Sequence, residues 1–393
     1  MNKKFLDLGF QPLANEYLAK SFSNKKKYKL KIFFNTKTKL VSISKKMDSK
    51  EMFTSKYPYR SSLSQTMRNS FKNLSEEIKK KFKPKLLLEI GSNDGALIKN
   101  FKITNVIGVE PCKNLAKITK AHNYNVYDEY WDTKLAQKLK KKFKNVDLIY
   151  SANTLTHIGN LNNVFKSISI LLSNKGTLII EDPSLLECLK NNSYDQFYNE
   201  HIYVFSLIAL NNILKKFHLE VYDVKNLSTH GGSLRYYIKK KINKNIKIRI
   251  SVKKQLIKEK KFKLDKFSTY KNFETRVLSS KKNLLDILKE LNKNNKKIIG
   301  YGATAKATTV LNFCKINKDL IKYFVDTTPE KQNKYMPGTN IKILKYDKET
   351  ITKFDYLFLG AWNFKKEILN KEKNFIKKGG KFITHVPTPK LLK

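Results

Sequence analysis

The spacing of apolar residues changes repeatedly along the chain, and each change marks an element. From Ser64 to Phe82 the apolar positions Met67, Phe71, Leu74 and Ile78 follow steps of three and four, which predicts an amphipathic helix. The run Leu86 to Ile90 is short and continuously apolar, the pattern of a buried strand. It breaks at Gly91-Ser92-Asn93-Asp94-Gly95, and a second apolar run, Asn105 to Val109, ends in the acid Glu110. The alternation continues with helices near Asn114 to Ala121 and Lys134 to Phe143, a strand Asp147 to Tyr150, a helix Leu161 to Leu172 and a strand Gly176 to Glu181. Strands separated by helices predict one doubly wound parallel sheet. Leu207 to Phe217 reads as a further helix, and Leu219 to Val224 and Leu234 to Ile238 as closing strands.

A lysine-rich stretch, Lys239 to Lys263, then separates two halves, and Phe267 to Leu291 has the spacing of a long helix. A second α/β pattern starts at Lys297: the strand Ile298 to Tyr301, the turn Gly300 to Lys306, a helix to Cys314, and the strand Ile321 to Val325 ending in Asp326. Strands at Tyr356 to Gly360 and Lys381 to His385 complete a smaller sheet. Residues 1 to about 70 hold no sustained period, Lys25 to Lys27 read as a solvated basic turn, and a small irregular lobe is expected. The division is an amino-terminal lobe over 1–65, an α/β domain over 66–240, a helical connector over 241–296 and a smaller α/β domain over 297–393.

Composition changes this picture little. A chain of 393 residues exceeds one ordinary core, and 40% hydrophobic with 12% aromatic residues suffices for several. No apolar run approaches the roughly 20 residues of a membrane span, and the amino terminus lacks a signal-peptide pattern, so a cytoplasmic protein is expected. The formal charge of +47 invites a nucleic-acid partner. Arginine, however, occurs only at 60, 68, 235, 249 and 276, and the lysines are spread along the chain among asparagines instead of forming a reading surface. Cys112, Cys188 and Cys314 form no C-x-x-C pair.

The Gly91 to Gly95 turn with Glu110 beyond the next strand is the layout of a nucleoside-binding unit, in which glycines admit the ligand and the strand-end acid accepts ribose hydroxyls. Asp94 makes the loop unfriendly to a pyrophosphate and suits a cationic, phosphate-free ligand such as S-adenosylmethionine. The densest titratable segment, Tyr194 to Phe205, follows the strand ending at Glu181, at the sheet edge where open α/β folds bind ligands. There His201 beside Glu200 could abstract a proton, against the alternative of a helix entry with packed aromatics. Asn153 and His157 follow the Tyr150 strand and share a face if helical, with His157 either structural or catalytic. His230-Gly231-Gly232-Ser233-Leu234-Arg235 offers amides and a guanidinium for a substrate hydroxyl or phosphate, or is a plain Gly-Gly turn. Gly300, Gly302 and Lys306 suit substrate phosphate or backbone contacts, or are only an architectural turn.

Taken in order, Leu8 to Asn15, the Glu89 to Gly95 loop, Tyr198 to His201, His230 to Arg235, Gly300 to Ala303 and Met336 to Thr339 resemble the S-adenosylmethionine-dependent sugar C-methyltransferases. The resemblance covers nearly the whole chain. It implies a class I methyltransferase domain with a Rossmann-like carboxyl-terminal partner, and methylation at C3 of a nucleotide-linked 4-keto-deoxysugar. On that resemblance His201 is the base, Glu200 orients or polarises it, and Tyr198, His157 and Tyr59 complete the catalytic set. Glu89, Gly91, Asn93, Asp94, Gly95, Glu110 and Asn153 hold the cofactor. His230, Arg235, Gly300, Gly302 and Lys306 hold the substrate.

Two departures stand out. Family members hold a structural zinc on two C-x-x-C pairs; the first would precede residue 1, and Phe33 to Lys37 carries no cysteine where the second belongs. No zinc is therefore expected, and the lobe must rely on packing against the central domain. Asn199 stands where the family commonly has a further histidine. The competing readings are methylation of another small molecule at oxygen or carbon, and a lysine-rich nucleic-acid-binding protein with an inactive methyltransferase fold. No specific nucleic-acid or membrane partner is expected, and the oligomeric state is left open.

Overall fold

The computed structural model describes residues 1–20, 26–44, 47–55 and 57–392. The amino-terminal lobe is a regular sheet where an irregular one was expected. β1 (Asn2–Gln11), β2 (Tyr28–Asn35) and β3 (Val41–Ile43) pair antiparallel, and Tyr203–Val204 arrives from the next domain to pair with β3. Register shifts between Lys4 and Leu6 and between Asp7 and Phe10 put the adjacent Phe5 and Leu6 both in the core, which erases the two-residue period. Of the basic turn expected at Lys25 to Lys27, Lys25 lies outside the described residues.

The lobe also docks differently from expectation, against the connector and carboxyl-terminal domain as well as the central one. The Phe34 ring lies 4.4 Å from that of Tyr270 on the connector helix Phe267–Lys293. Tyr17 donates to the Ala303 carbonyl at 2.8 Å, and Thr308 to that of Ala14 at 3.1 Å.

The central domain begins with the helix Gln65–Lys81, capped by Ser64, whose hydroxyl accepts from the Met67 amide. It buries Met67, Phe71, Leu74 and Ile78 against the sheet, about 1.5–3 kcal/mol each. The strands are β4 (Leu87–Ile90), β5 (Val106–Val109), β6 (Val126–Tyr127), β7 (Val146–Ala152), β8 (Leu172–Pro183), the lobe-completing β9 (Tyr203–Val204), β10 (Leu219–Leu227) and β11 (Ser233–Lys240). Seven of them form one sheet in the order β10-β11-β8-β7-β4-β5-β6, parallel except for β11. This is the class I methyltransferase order, with its switch point between β4 and β7.

Helices Ile250–Lys261 and Phe267–Lys293 form the connector. Glu259 reaches back from the first to accept the Leu207 and Ile208 amides, both at 2.9 Å, at the start of the helix Leu207–Leu214. The carboxyl-terminal domain holds β12 (Ile298–Tyr301), β13 (Tyr323–Asp326), β14 (Lys342–Lys345), β15 (Tyr356–Leu359), β16 (Lys381–Thr384) and β17 (Lys390–Leu392). Their order is β14-β13-β12-β15-β16-β17, parallel but for β17, with a second switch point beside β12.

Candidate active site

The glycine turns after β4 and β12 both open onto one cavity of about 910 Å³, lined by residues from the central domain, the carboxyl-terminal domain and the amino-terminal segment. On the central side Gly91 holds φ +77°, and a Cβ there would overlap Thr154. The Glu110 carboxylate accepts the Asn93 and Cys112 amides, each at 2.8 Å, and burial raises its pKa. Glu89 lines the cavity with Oε2 buried and unpartnered among the described residues; burial first, then Glu110 and Asp94, push its pKa up. An orphaned carboxylate oxygen beside a glycine turn fits a cationic nucleoside, and S-adenosylmethionine carries both an ammonium and a sulfonium.

The other loop positions divide. Asp94, 2% exposed, is turned away from the cavity onto the Ser62 hydroxyl, tying the amino-terminal segment to the loop. Gly95, at φ +80°, packs on Thr119 and has an architectural role. Asn93 accepts the Ser61 amide at 2.9 Å and donates to the Tyr59 carbonyl at 3.2 Å. Sequence reasoning passed over Asp128 to Trp131, which also line this half, because β6 is two residues long and carries no periodic signal.

The base half is built on the turn Tyr194–Gln196 and the residues after it. His201 Nδ1 lies 2.7 Å from the Gln196 carbonyl oxygen, which accepts only if that nitrogen is protonated, so the lone pair is on Nε2. Nε2 receives the Tyr198 hydroxyl at 2.6 Å. Burial, with His157 and Lys306 adding repulsion, holds the His201 pKa well below its usual value, so the ring is a neutral base. His157 lines the same space, its ring 5.0 Å from that of His201 and stacked at 5.5 Å on Phe53. Burial lowers its pKa to about 4, and its Nε2 is buried without a partner among the described residues. It sits in the 3₁₀ turn Leu155–His157, so Asn153 and His157 do not share an α-helical face; Asn153, at φ +49°, contacts His230 Nε2 at 3.2 Å.

Glu200 departs from its expected role. It lies 2% exposed behind the cavity wall and accepts the Asn15 side-chain amide at 2.8 Å and the Tyr57 hydroxyl at 3.0 Å, and it makes no hydrogen bond to His201 among the described residues. Burial raises its pKa to about 7 against those hydrogen bonds. Asn15 and Tyr57 are therefore functional neighbours that a reading centred on Tyr59 missed; Tyr59 lines the cavity at 38% exposure. The company of Asn15 in the Leu8 to Asn15 block was the available signal.

On the substrate side, two expectations are corrected. Arg235 is 3% exposed on β11, away from the cavity, and bound to Glu181 at 2.5 Å and Glu77 at 3.0 Å, so its guanidinium is already occupied. Gly300 lies inside β12, where a Cβ would overlap the Phe324 ring; its smallness serves packing. Gly302, at φ +85°, does line the cavity, as does His230, whose pKa falls to about 3 from lost hydration and the nearby Lys306 charge. Lys306 is the outstanding group: 9% exposed in the first turn of the helix Ala305–Cys314, lining the cavity, with no hydrogen bond or ion pair among the described residues. Burial lowers its pKa, and the carboxylate whose charge opposes that shift is Asp195, while Asp326 accepts the Ala303 and Thr328 amides at 2.7 and 2.8 Å with Lys331 3.6 Å away. No group of three or more His, Cys, Asp or Glu among the described residues could share a metal, and no helix there is long and apolar enough to cross a membrane.

Residues 59–224 match the family of methyltransferase domains, and 228–387 the family described as the C-methyltransferase C-terminal domain. The C-methyltransferase NovU of Streptomyces niveus is 29% identical over 309 residues, 78% of this chain and 73% of that one. Among solved structures, the PH0226 protein from Pyrococcus horikoshii is 18% identical with a TM-score of 0.36, over 46% of this chain and 94% of the other. An S-adenosylmethionine-dependent methyltransferase from Clostridium acetobutylicum is 13% identical with a TM-score of 0.34, over 44% and 91%.

Proposed function

We propose that this S-adenosylmethionine-dependent methyltransferase is a carbon methyltransferase acting at C3, beside the C4 ketone of a nucleotide-linked 4-keto-deoxysugar. The observation that carries the reading is a neutral, buried imidazole with its lone pair fixed on Nε2, in the same cavity as the cofactor turn. His201 Nε2 takes the C3 proton, and the electron pair of that C–H bond passes to the C4 oxygen as an enolate. The Tyr198 hydroxyl, which must leave Nε2 before that nitrogen can take the proton, turns to donate to the enolate oxygen, and the unpartnered His157 Nε2 is the second group near enough to stabilise it. Gly91, Asn93, Glu89 and Glu110 hold the cofactor, which when bound supplies the electrophilic methyl group that the nucleophilic carbon requires. Lys306 supplies positive charge for the diphosphate, since a buried ammonium without a hydrogen-bonded partner, its charge disfavoured by burial and only partly offset by Asp195, gains most from a ligand anion.

The test is methyl transfer to a nucleoside-diphosphate 4-keto-6-deoxysugar with the product read by NMR. A new C–CH₃ signal, and loss of transfer in His201→Ala with S-adenosylmethionine binding retained, are expected. An O–CH₃ product, or an unchanged rate in His201→Ala, overturns the reading.

A further inference from the structure

The carbonyl that fixes the His201 tautomer belongs to Gln196, on a turn buttressed mainly by another domain. Next to it, Asp195 is fully buried, and its Oδ2 accepts Trp362 Nε1 at 2.6 Å and His385 Nε2 at 2.9 Å. Both donors come from the carboxyl-terminal domain, from the loops after β15 and β16. On the other side of the turn, the Tyr194 ring packs 5.5 Å from Phe313 and 5.9 Å from His385. The Trp362 ring also fills the space beside Gly231, where a Cβ would overlap it, and so presses on the turn carrying His230. Gln196 closes the circuit by donating its side-chain amide to the His230 carbonyl at 2.7 Å.

We propose that Trp362 and His385 are positioning residues for the base: by clamping the Asp195 carboxylate they hold the Gln196 carbonyl against His201 Nδ1, and so keep the lone pair on Nε2. Without that clamp the 194–196 turn loses its two strongest anchors, because hydrogen bonds to a buried carboxylate are the charge-assisted kind. The peptide carbonyl then rotates, and the Nε2–H tautomer, which cannot accept a proton at the catalytic nitrogen, becomes populated. The domain that carries Lys306 thus also sets the chemistry of the base in its neighbour. The catalytic part of this inference rests on the carbon-methylation reading above; the tautomer part does not.

The experiment uses the full chain with ¹⁵N-labelled histidine, His201 being assigned from the signals missing in His201→Gln. The wild type shows a single His201 tautomer protonated at Nδ1. In Trp362→Phe, and more so in Trp362→Phe/His385→Phe, where rings are kept and donors lost, Nε2–H signals appear. With them kcat falls about 100-fold while KM for S-adenosylmethionine stays within twofold. Calorimetric binding of S-adenosylmethionine at wild-type affinity establishes that each variant is folded; if the double variant misfolds, Trp362→Phe alone decides. A folded variant that keeps the single Nδ1–H tautomer overturns the proposal, whatever its activity. A variant that shows the mixed tautomer while the wild type transfers no methyl group to the keto sugar sinks the substrate reading and leaves the clamp standing.

Discussion

Glu200 shows how far the meaning of a residue depends on what surrounds it. Beside His201 in sequence, it faces Asn15 and Tyr57 in space, with its pKa raised to about 7. A folded pKa above the unfolded 4.5 means the fold prefers the protonated acid. Stability is therefore undiminished below pH 4.5, falls as pH rises toward 7, and is lower above it by about 3 kcal/mol. Glu200→Gln abolishes this titration, so its stability relative to wild type should improve by about 3 kcal/mol between pH 5 and pH 8 in urea denaturation. Comparing the two pH values cancels whatever the amide itself contributes. Arg235 makes the opposite point: its motif read as a clamp, yet its partners are Glu181 and Glu77. Arg235→Met strands those carboxylates and should cost about 3–5 kcal/mol with KM for the sugar nucleotide unchanged. A raised KM at normal stability would restore the clamp. Motif order in the sequence pointed to His201 and Lys306, but which charge pairs with which was invisible, because the partners of Glu200 and Arg235 lie between 54 and 185 residues away.

At the level of elements, the chain was most legible where strands are buried on both faces. The β4, β5 and β12 segments are apolar runs, β4 and β12 followed by glycine turns and β5 by the acid Glu110, and all three lie in their sheets near the expected positions. β14 and β17 escaped notice because Lys342-Ile343-Leu344-Lys345 and Lys390-Leu391-Leu392 sit at or near an edge with too few residues to set a period. Bulges hid β1. Glycines were ambiguous from sequence alone: Gly302 faces the cavity while Gly300, two positions earlier, faces Phe324. Gly300→Ala should therefore destabilise the protein by about 1–3 kcal/mol through overpacking, with Phe324→Leu relieving part of the cost. Thermal melts of the single and double variants decide it, and full additivity would contradict the contact.

For the whole molecule, the charge of +47 acts at long range and the cavity at short range. Attraction between so positive a surface and the proposed diphosphate-linked substrate should make kcat/KM fall severalfold between about 0.05 and 0.3 M salt, with kcat nearly constant. Lys306→Met, by contrast, should raise KM at every salt concentration, because a buried ammonium is poorly screened. Two doubly wound sheets were readable from the sequence as separate units; that their glycine turns share one cavity was not, since nothing local encodes the angle between domains. The pairing of β3 with β9 carries a consequence for anyone recombining such proteins. β9 begins two residues after His201, yet it completes the sheet of residues 2–43, so a chimera cut near residue 65 would join three strands of one parent's sheet to the fourth strand of another's. Residues 1–44 and 194–205 are inherited together or not at all. A crossover between Asn243 and Lys247 splits no sheet, though it parts Asp195 from Trp362 and His385, so those three residues must be matched across it.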